Sequence, residues 1–487
     1  MAALRARLPK RSHAPAATDG LIRTVVWAGT GVFAAIHSAL IIGRYHRFGI
    51  YTFDFGIFDQ GLWLLSRFEN PFVTLRGLNL FADHSSYVMV LLTPIYWVWA
   101  DPRVLLVVTV VAIAASGPLL YAIGRRIGLR PSLAAAIALA FLVHPAVRWA
   151  TWDNFHPEML VLPLLLGAVV WVLDARPLWA VGLIGLALLT KEDAALVVVP
   201  FGLWVAWRLR ERTAGLAMAG LGVAAFVLNF LVLLPHFSPT GEVLYTGRYP
   251  GYGSSAFGII AGVATSPATV LGDVTRPEAL AYLRDMVLTA PTSLAAPVVL
   301  VLGVPITLAN MLSTHFYQID IRYHYTVYLV AVTGVAAVYG ARRLQDRANA
   351  FGFAAIVAVV AVAAFAGLGP GPSRGAWGGV EDATAIEAAL ARIGPDDVVS
   401  ANSTLAVHLA HRRVVYRFPN PFRELDYGTP GIPYDPPAAD VEWIALDPGR
   451  IADFTYAAET LDELLAQRNN PWQTVISTDE VLLLQRR

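Results

Sequence analysis

Uninterrupted apolar runs, each near the roughly 20 residues a helix needs to cross a hydrocarbon core, recur from Leu21 to Gly369 of this chain. Inside a bilayer no water satisfies backbone N–H and C=O groups, so segments of this composition must be helical. The runs lie near 21–43, 103–123, 131–147, 158–173, 177–190, 193–207, 213–235, 325–340 and 350–369, which predicts nine spans. Two further stretches read as interfacial or re-entrant helices: 86–100 is short and aromatic, and 291–312 is broken by Pro291, Pro297 and Pro305. The expected fold is an α-helical polytopic membrane protein with about 9–11 transmembrane helices. The first run is too long for a signal-peptide core and lacks a small-residue cleavage site, so it is expected to be retained.

Charge sets the orientation. Basic clusters stand at Arg5, Arg7, Lys10 and Arg11, at Arg125, Arg126 and Arg130, at Arg208, Arg210 and Arg212, and at Arg342, Arg343 and Arg347. They share one side only if 86–100 does not span, and by the positive-inside rule that side is cytoplasmic. The predicted organisation is a cytoplasmic tail, 1–20, and a transmembrane region, 21–369, whose first outer loop, 44–102, is large. A Gly/Pro-rich linker, 370–380, leads to a small extracytoplasmic α/β domain, 381–487, with a helix at 381–393 and strands at 398–401, 413–418, 441–446 and 474–484.

This topology, set without reference to the polar motifs, gathers them on the outer side. Asp54 and Asp59 sit among aromatic residues just beyond the first span, where carboxylates are costly to desolvate and call for a cation, a partner or a substrate. Asp54 reads as a general base or metal ligand, or as a cap of a helix over 56–65. Trp152-Asp-Asn-Phe-His-Pro-Glu158 packs two carboxylates, an imidazole and an amide into one short loop, a donor set suited to Mn²⁺, Mg²⁺, Zn²⁺ or Ca²⁺. Asp59, His156 and Glu158 are the candidate metal ligands, while Asp153 and Asn154 equally suit capping of the helix starting near Pro157.

Of the 36 Lys and Arg residues only Lys10 and Lys191 are lysine, so the retained Lys191 in Lys191-Glu192-Asp193 reads as a phosphate partner or as one half of an internal ion pair. Arg322, Tyr323 and His324 combine a cation, a phenol and an imidazole suited to phosphate and sugar hydroxyls. His84 and His236 are further candidates among seven histidines expected at or near this face. A formal charge of +1 gives no reason to expect nucleic acid, and the absence of cysteine excludes thiolate chemistry.

Asp54-Phe-Gly-Ile-Phe-Asp-Gln60, Asp153-Asn-Phe-His-Pro-Glu158 and Lys191-Glu-Asp193 resemble the motifs of a family of uncharacterised bacterial, often actinobacterial, multispanning membrane proteins. That family resembles, more distantly, the GT-C superfamily of polyprenyl-phosphate-sugar-dependent glycosyltransferases, which includes protein mannosyltransferases and aminoarabinose transferases. The resemblance implies that Asp54 is the essential acidic residue of the first outer loop, that Asp153 is the second, and that 86–100 is a juxtamembrane helix. At 82–86 the sequence reads Ala-Asp-His-Ser-Ser where the family pattern has His-Phe-Ser-Pro, which leaves the place of His84 open.

The expected function is sugar transfer from a polyprenyl-phosphate donor to an acceptor of the cell envelope, at the outer face of a bacterial plasma membrane. The alternatives are a transporter or flippase of a lipid-linked glycan and a non-catalytic envelope scaffold.

Overall fold

The structure is a computed structural model describing residues 16–453 and 456–487. The basic cluster from Arg5 to Arg11 and most of the expected 1–20 tail lie outside the described residues.

A long helix, α1 (Ala16–His46), leads into the first large loop. This loop folds as α2 (Ile57–Ser66), a short hairpin of β1 (Phe72–Val73) and β2 (Leu78–Asn79), and α3 (Val88–Val98). In α3, Tyr96 is buried against α2 while Leu91, Trp97 and Val98 are exposed, the pattern of a helix lying in an interface. Then come α4 (Arg103–Arg126), α5 (Pro131–Leu142), α6 (Pro145–Trp152), α7 (Pro157–Leu173), α8 (Pro177–Leu188), α9 (Ala195–Trp207) and α10 (Arg212–Phe237). The run 131–147, expected as one span, is two helices bent by 44°. Pro145 explains the break, because the residue before proline is pushed out of the α region and His144 has ψ 134°. Residues 238–290, where no span was expected, carry α11 (Ala256–Thr265), α12 (Pro267–Val274) and α13 (Pro277–Leu288). The bundle ends with α14 (Pro297–Leu312), α15 (His324–Arg347) and α16 (Ala350–Leu368).

Among the described residues five helices are long and apolar enough to cross a membrane, or up to seven if each bent pair is one span. Helix α15, rich in Ala, Val and Gly, is the buried axis of the bundle, whereas α16 turns Phe351 and Phe365 outward. Helices α9 and α10 pack backbone to backbone: a Cβ added at Gly215 would lie 2.3 Å from the Ala206 nitrogen.

The C-terminal domain starts with a helix shorter than expected, α17 (Thr384–Leu390), followed by β3 (Val399–Ala401), β4 (Val415–Arg417), β5 (Trp443–Leu446), α18 (Ala457–Ala466), β6 (Trp472–Ser477) and β7 (Leu482–Arg486). The expected strand 474–484 is a hairpin, β6 and β7, turning at Thr478–Val481. Strand order is β4-β3-β5-β7-β6, parallel across β4, β3 and β5 and antiparallel beyond. This domain is no free appendage. Its Leu405, Val407, Val415 and Trp443 share one hydrophobic core with Phe55, Phe58, Leu62 and Leu75 of the first loop. The Gly/Pro-rich connection is strapped down as well: the indoles of Trp149 and Trp152 donate to the carbonyls of Pro370 (2.7 Å) and Ala376 (2.6 Å).

Candidate active site

Asp54 stands on a strained turn. Phe53 is extended, and Asp54 itself has φ 68° and ψ −77°, with the Ile57 N–H donating to its carbonyl. A non-glycine residue in this region costs about 1–3 kcal/mol and persists only where its surroundings over-determine it. Here Thr52 is buried, its N–H donates to the Ser403 hydroxyl at 2.9 Å, and its own hydroxyl donates to the Ser403 carbonyl. Phe55 is buried, and the Arg417 guanidinium lies over the Phe53 ring at 5.1 Å. The side chain between these anchors is 44% exposed. Asp54 does not cap α2, whose N-cap is Gly56 without a side-chain bond.

The loop after α6 meets it from below. Asn154 takes φ 66°, which asparagine tolerates, and turns the chain so that Asp153 and His156 point the same way. Neither Asp153 nor Asn154 caps the turn at Pro157, where the N-cap is His156 with no side-chain bond. Asp153 accepts from the His324 N–H at 2.7 Å and lies 3.0 Å from its Nδ1. The His156 and His324 rings stack with centroids 3.7 Å apart. His156 Nε2 is 3.4 Å from Asp54 Oδ2. Glu158 accepts from Lys191 Nζ at 2.7 Å and lies 3.7 Å from His324 Nε2. Glu192 accepts from the Ser85 N–H at 3.0 Å and lies 2.8 Å from His84 Nδ1. Thus Asp54, His156, His324, Asp153, Glu158 and Lys191 form one continuous chain of contacts from the opening into the protein.

Burial pushes the Asp153 carboxyl up to about 7, helped by the nearby Asp54 charge. Burial also opposes charge on His156, but Asp153 and Asp54 outweigh it and hold the imidazole above its ordinary value. Asp54 lies below the ordinary aspartate value, since contact with His156 and the charges of His156 and Lys191 outweigh desolvation. Lys191 is desolvated yet held above its ordinary value by Glu158 and Asp193.

Beside this chain opens a cavity with an empty volume of about 1250 Å³. Part of its lining is apolar, with Phe226, Phe230, Ile260 and Leu308, and part is polar, with His84, Lys191, Asp193, Tyr245 and Arg248. His84 stacks on Tyr245 at 4.8 Å, and the Arg248 guanidinium covers Tyr245 at 4.2 Å. Among the described residues no carboxylate lies within ion-pair distance of Arg248.

Asp59 belongs elsewhere: fully buried, it accepts from the Tyr96 hydroxyl at 2.5 Å and lies 3.0 Å from His411 Nε2. Arg322 pairs with Asp320 at 2.6 Å on the surface, Tyr323 packs on Tyr317, and exposed His236 packs on its neighbour Phe237. The structure therefore does not join these four to the chain of contacts. Among the described residues the group able to offer three metal ligands is Asp153, His156 and His324, with ligand atoms within 4.8 Å of one another. That differs from the expected Asp59, His156 and Glu158. The donor set fits a divalent cation, and both buried His156 ring nitrogens lack a hydrogen-bond partner among the described residues.

Sequence reasoning passed over Arg248, although its place in Tyr245-Thr-Gly-Arg-Tyr249, a lone cation between aromatics in a loop, was a readable signal. It had no access to Arg44, which is buried, donates to the Trp152 carbonyl at 2.8 Å and lies over that indole at 4.2 Å, because the pairing spans 108 positions.

The family described as predicted membrane protein (DUF2079) matches residues 44–483. No curated protein matches the chain. The fold is that of ArnT from Cupriavidus metallidurans, solved bound to undecaprenyl phosphate, with a TM-score of 0.54, 14% identity, and coverage of 97% of this chain and 98% of that one. The Archaeoglobus fulgidus oligosaccharyltransferase, in complex with Zn and sulfate, aligns at a TM-score of 0.48 and 13% identity over 91% of this chain and 70% of that one. By its likeness to ArnT the architecture is GT-C-like, helical and polytopic, with a small C-terminal sheet.

Proposed function

We propose that this chain, which belongs to the DUF2079 family of predicted membrane proteins, transfers a sugar from a polyprenyl-phosphate donor to an acceptor hydroxyl of the cell envelope. The observation that carries this reading is the half-open Asp54 carboxylate, held on a strained turn at the head of a buried charge chain beside a cavity whose lining is part polar and part apolar. The nine expected spans are reached when the shorter apolar helices α7, α8 and α9 are counted beside the long ones and the bent pair α5 and α6; with this face outward, the site lies where a lipid-linked donor meets a water-borne acceptor.

Asp54, ionised and aimed outward, accepts a hydrogen bond from the acceptor hydroxyl, orients it and takes its proton as the new bond to the sugar forms. Arg248, which has no carboxylate partner among the described residues, and His84 offer donors to the departing lipid phosphate from the polar part of the cavity lining. The apolar lining takes the first isoprenoid units. Lys191, whose sequence setting suits a phosphate partner, is instead committed to Glu158, so its role here is to offset buried negative charge behind the site. Asp153, His156 and His324 would hold a divalent cation, which would supply positive charge next to Asp54.

The test is transfer of a radiolabelled sugar from polyprenyl phosphate by membranes carrying the wild type or Asp54→Asn. Loss of transfer with an unchanged melting temperature is expected; near-normal turnover in the variant overturns the reading.

A further inference from the structure

A second groove, with an empty volume of about 900 Å³, runs along the junction of the first loop and the C-terminal domain. Its walls are aromatic: Phe72 from β1, then Tyr416, Tyr427 and Tyr434 from the domain. The Tyr427 ring is 6.1 Å from that of Tyr416 and stands edge-on to Tyr434 at 5.7 Å. It is fixed in place. Gly77, at φ 71°, lets the hairpin turn approach so closely that an added Cβ would lie 2.4 Å from the ring. The Gly428 N–H donates to the Arg76 carbonyl at 2.8 Å, and the Arg76 guanidinium donates to the Gly428 carbonyl at 2.9 Å. The groove is therefore preformed, which removes ordering cost on binding.

The polar lining is one-sided. Glu424 and Asp435 bring two carboxylates, no Lys, Arg or His lines the groove, and the buried Thr429 hydroxyl lacks a hydrogen-bond partner among the described residues. Aromatic faces match the C–H faces of pyranose rings, and carboxylates accept charge-assisted hydrogen bonds from sugar hydroxyls. The same carboxylates repel phosphate or uronate. A proline-rich peptide is a poor match, because its tertiary amides offer acceptors and few donors to a lining rich in acceptors.

We propose that this groove binds a neutral oligosaccharide. Strand β4 connects it to the site: Tyr416 walls the groove, and the next residue, Arg417, covers Phe53, the neighbour of Asp54. That the oligosaccharide is the acceptor glycan rests on the transfer reaction proposed above; that the groove binds it does not.

The experiment is saturation-transfer difference NMR on the full chain in lipid nanodiscs, with linear hexasaccharides of glucose, mannose or galactose, a hexauronate and hexaproline as probes. Saturation transfer to a neutral hexasaccharide is expected, unchanged in Asp54→Asn, kept in Tyr427→Phe, and weakened about tenfold in both Tyr427→Ala and the exposed double variant Glu424→Gln/Asp435→Asn. The assignment is overturned if no neutral hexasaccharide responds at millimolar concentration, if both weakening variants bind like wild type, or if the hexauronate or hexaproline binds in its place. Because the readout needs no turnover, failure of transfer and failure of the groove are separable.

Discussion

Asp54 and His156 face each other at 3.4 Å, one on a strained turn of the first loop and the other in the loop between α6 and α7. That contact couples an exposed carboxylate to a buried imidazole, and through it to Asp153, His324, Glu158 and Lys191.

The strain at Asp54 predicts a separation of stability from activity. Glycine adopts φ 68° without steric cost, whereas alanine does not. Asp54→Gly should be more stable than Asp54→Ala by about 1 kcal/mol. Both should be inactive. Thermal unfolding in detergent compares them, and equal midpoints would show that the turn carries no strain.

Lys191 and Glu158 form a buried ion pair. Removing one partner of such a pair leaves an uncompensated charge and costs about 3–5 kcal/mol. Lys191→Met should lower the melting temperature and the yield of folded protein, and Lys191→Met/Glu158→Gln should recover part of the loss. A single variant as stable as wild type would contradict the pairing.

Divalent-cation binding at Asp153, His156 and His324 should be proton-linked. His156 lies above its ordinary value of 6.5 and Asp153 near 7, so protons hold these ligands below neutrality and a cation must displace them. Affinity for Mn²⁺ should rise as pH goes from about 6 to 8, with proton release visible by calorimetry in buffers of different ionisation enthalpy. His156→Ala should abolish the heat. Equal affinity across that range would argue against this ligand set.

The Asp59–His411 contact ties α2 to the C-terminal domain. Burial opposes charge on His411, but Asp59 outweighs it and raises the imidazole above its ordinary value of 6.5. The stabilisation is therefore complete below pH 6.5 and is lost as pH rises through the raised value. Proteolytic nicking of the 370–380 connection should increase as pH rises above 6.5 in the wild type, and Asp59→Asn should flatten that dependence.

Much of this was legible in the sequence because it depends on local pattern. Apolar runs specify helices; the break before Pro145 was also readable, but the unbroken apolar composition of 131–147 led to one expected span. The positions of Asp54, Asp153, His156, Glu158, Lys191 and His324 were legible as dense polar motifs in apolar surroundings, and the structure brings these six together. Arg322 looked equivalent to them, but its nearest acid, Asp320, is two residues away and pairs with it on the surface. Asp59, five residues after Asp54, was read with it; the intervening turn and the first helical residues send the two carboxylates to different partners.

By itself the sequence determined that this chain is a helical membrane protein with its ionisable motifs at span ends, since the desolvation cost of carboxylates and the need to satisfy backbone groups act residue by residue. Only the tertiary structure decided which of those groups meet. The Asp54–His156, Lys191–Glu158 and Asp59–His411 contacts join positions 102, 33 and 352 apart. No local rule couples such positions, and it is the shared packing of the first loop and the C-terminal domain that fixes at least the first and last of them.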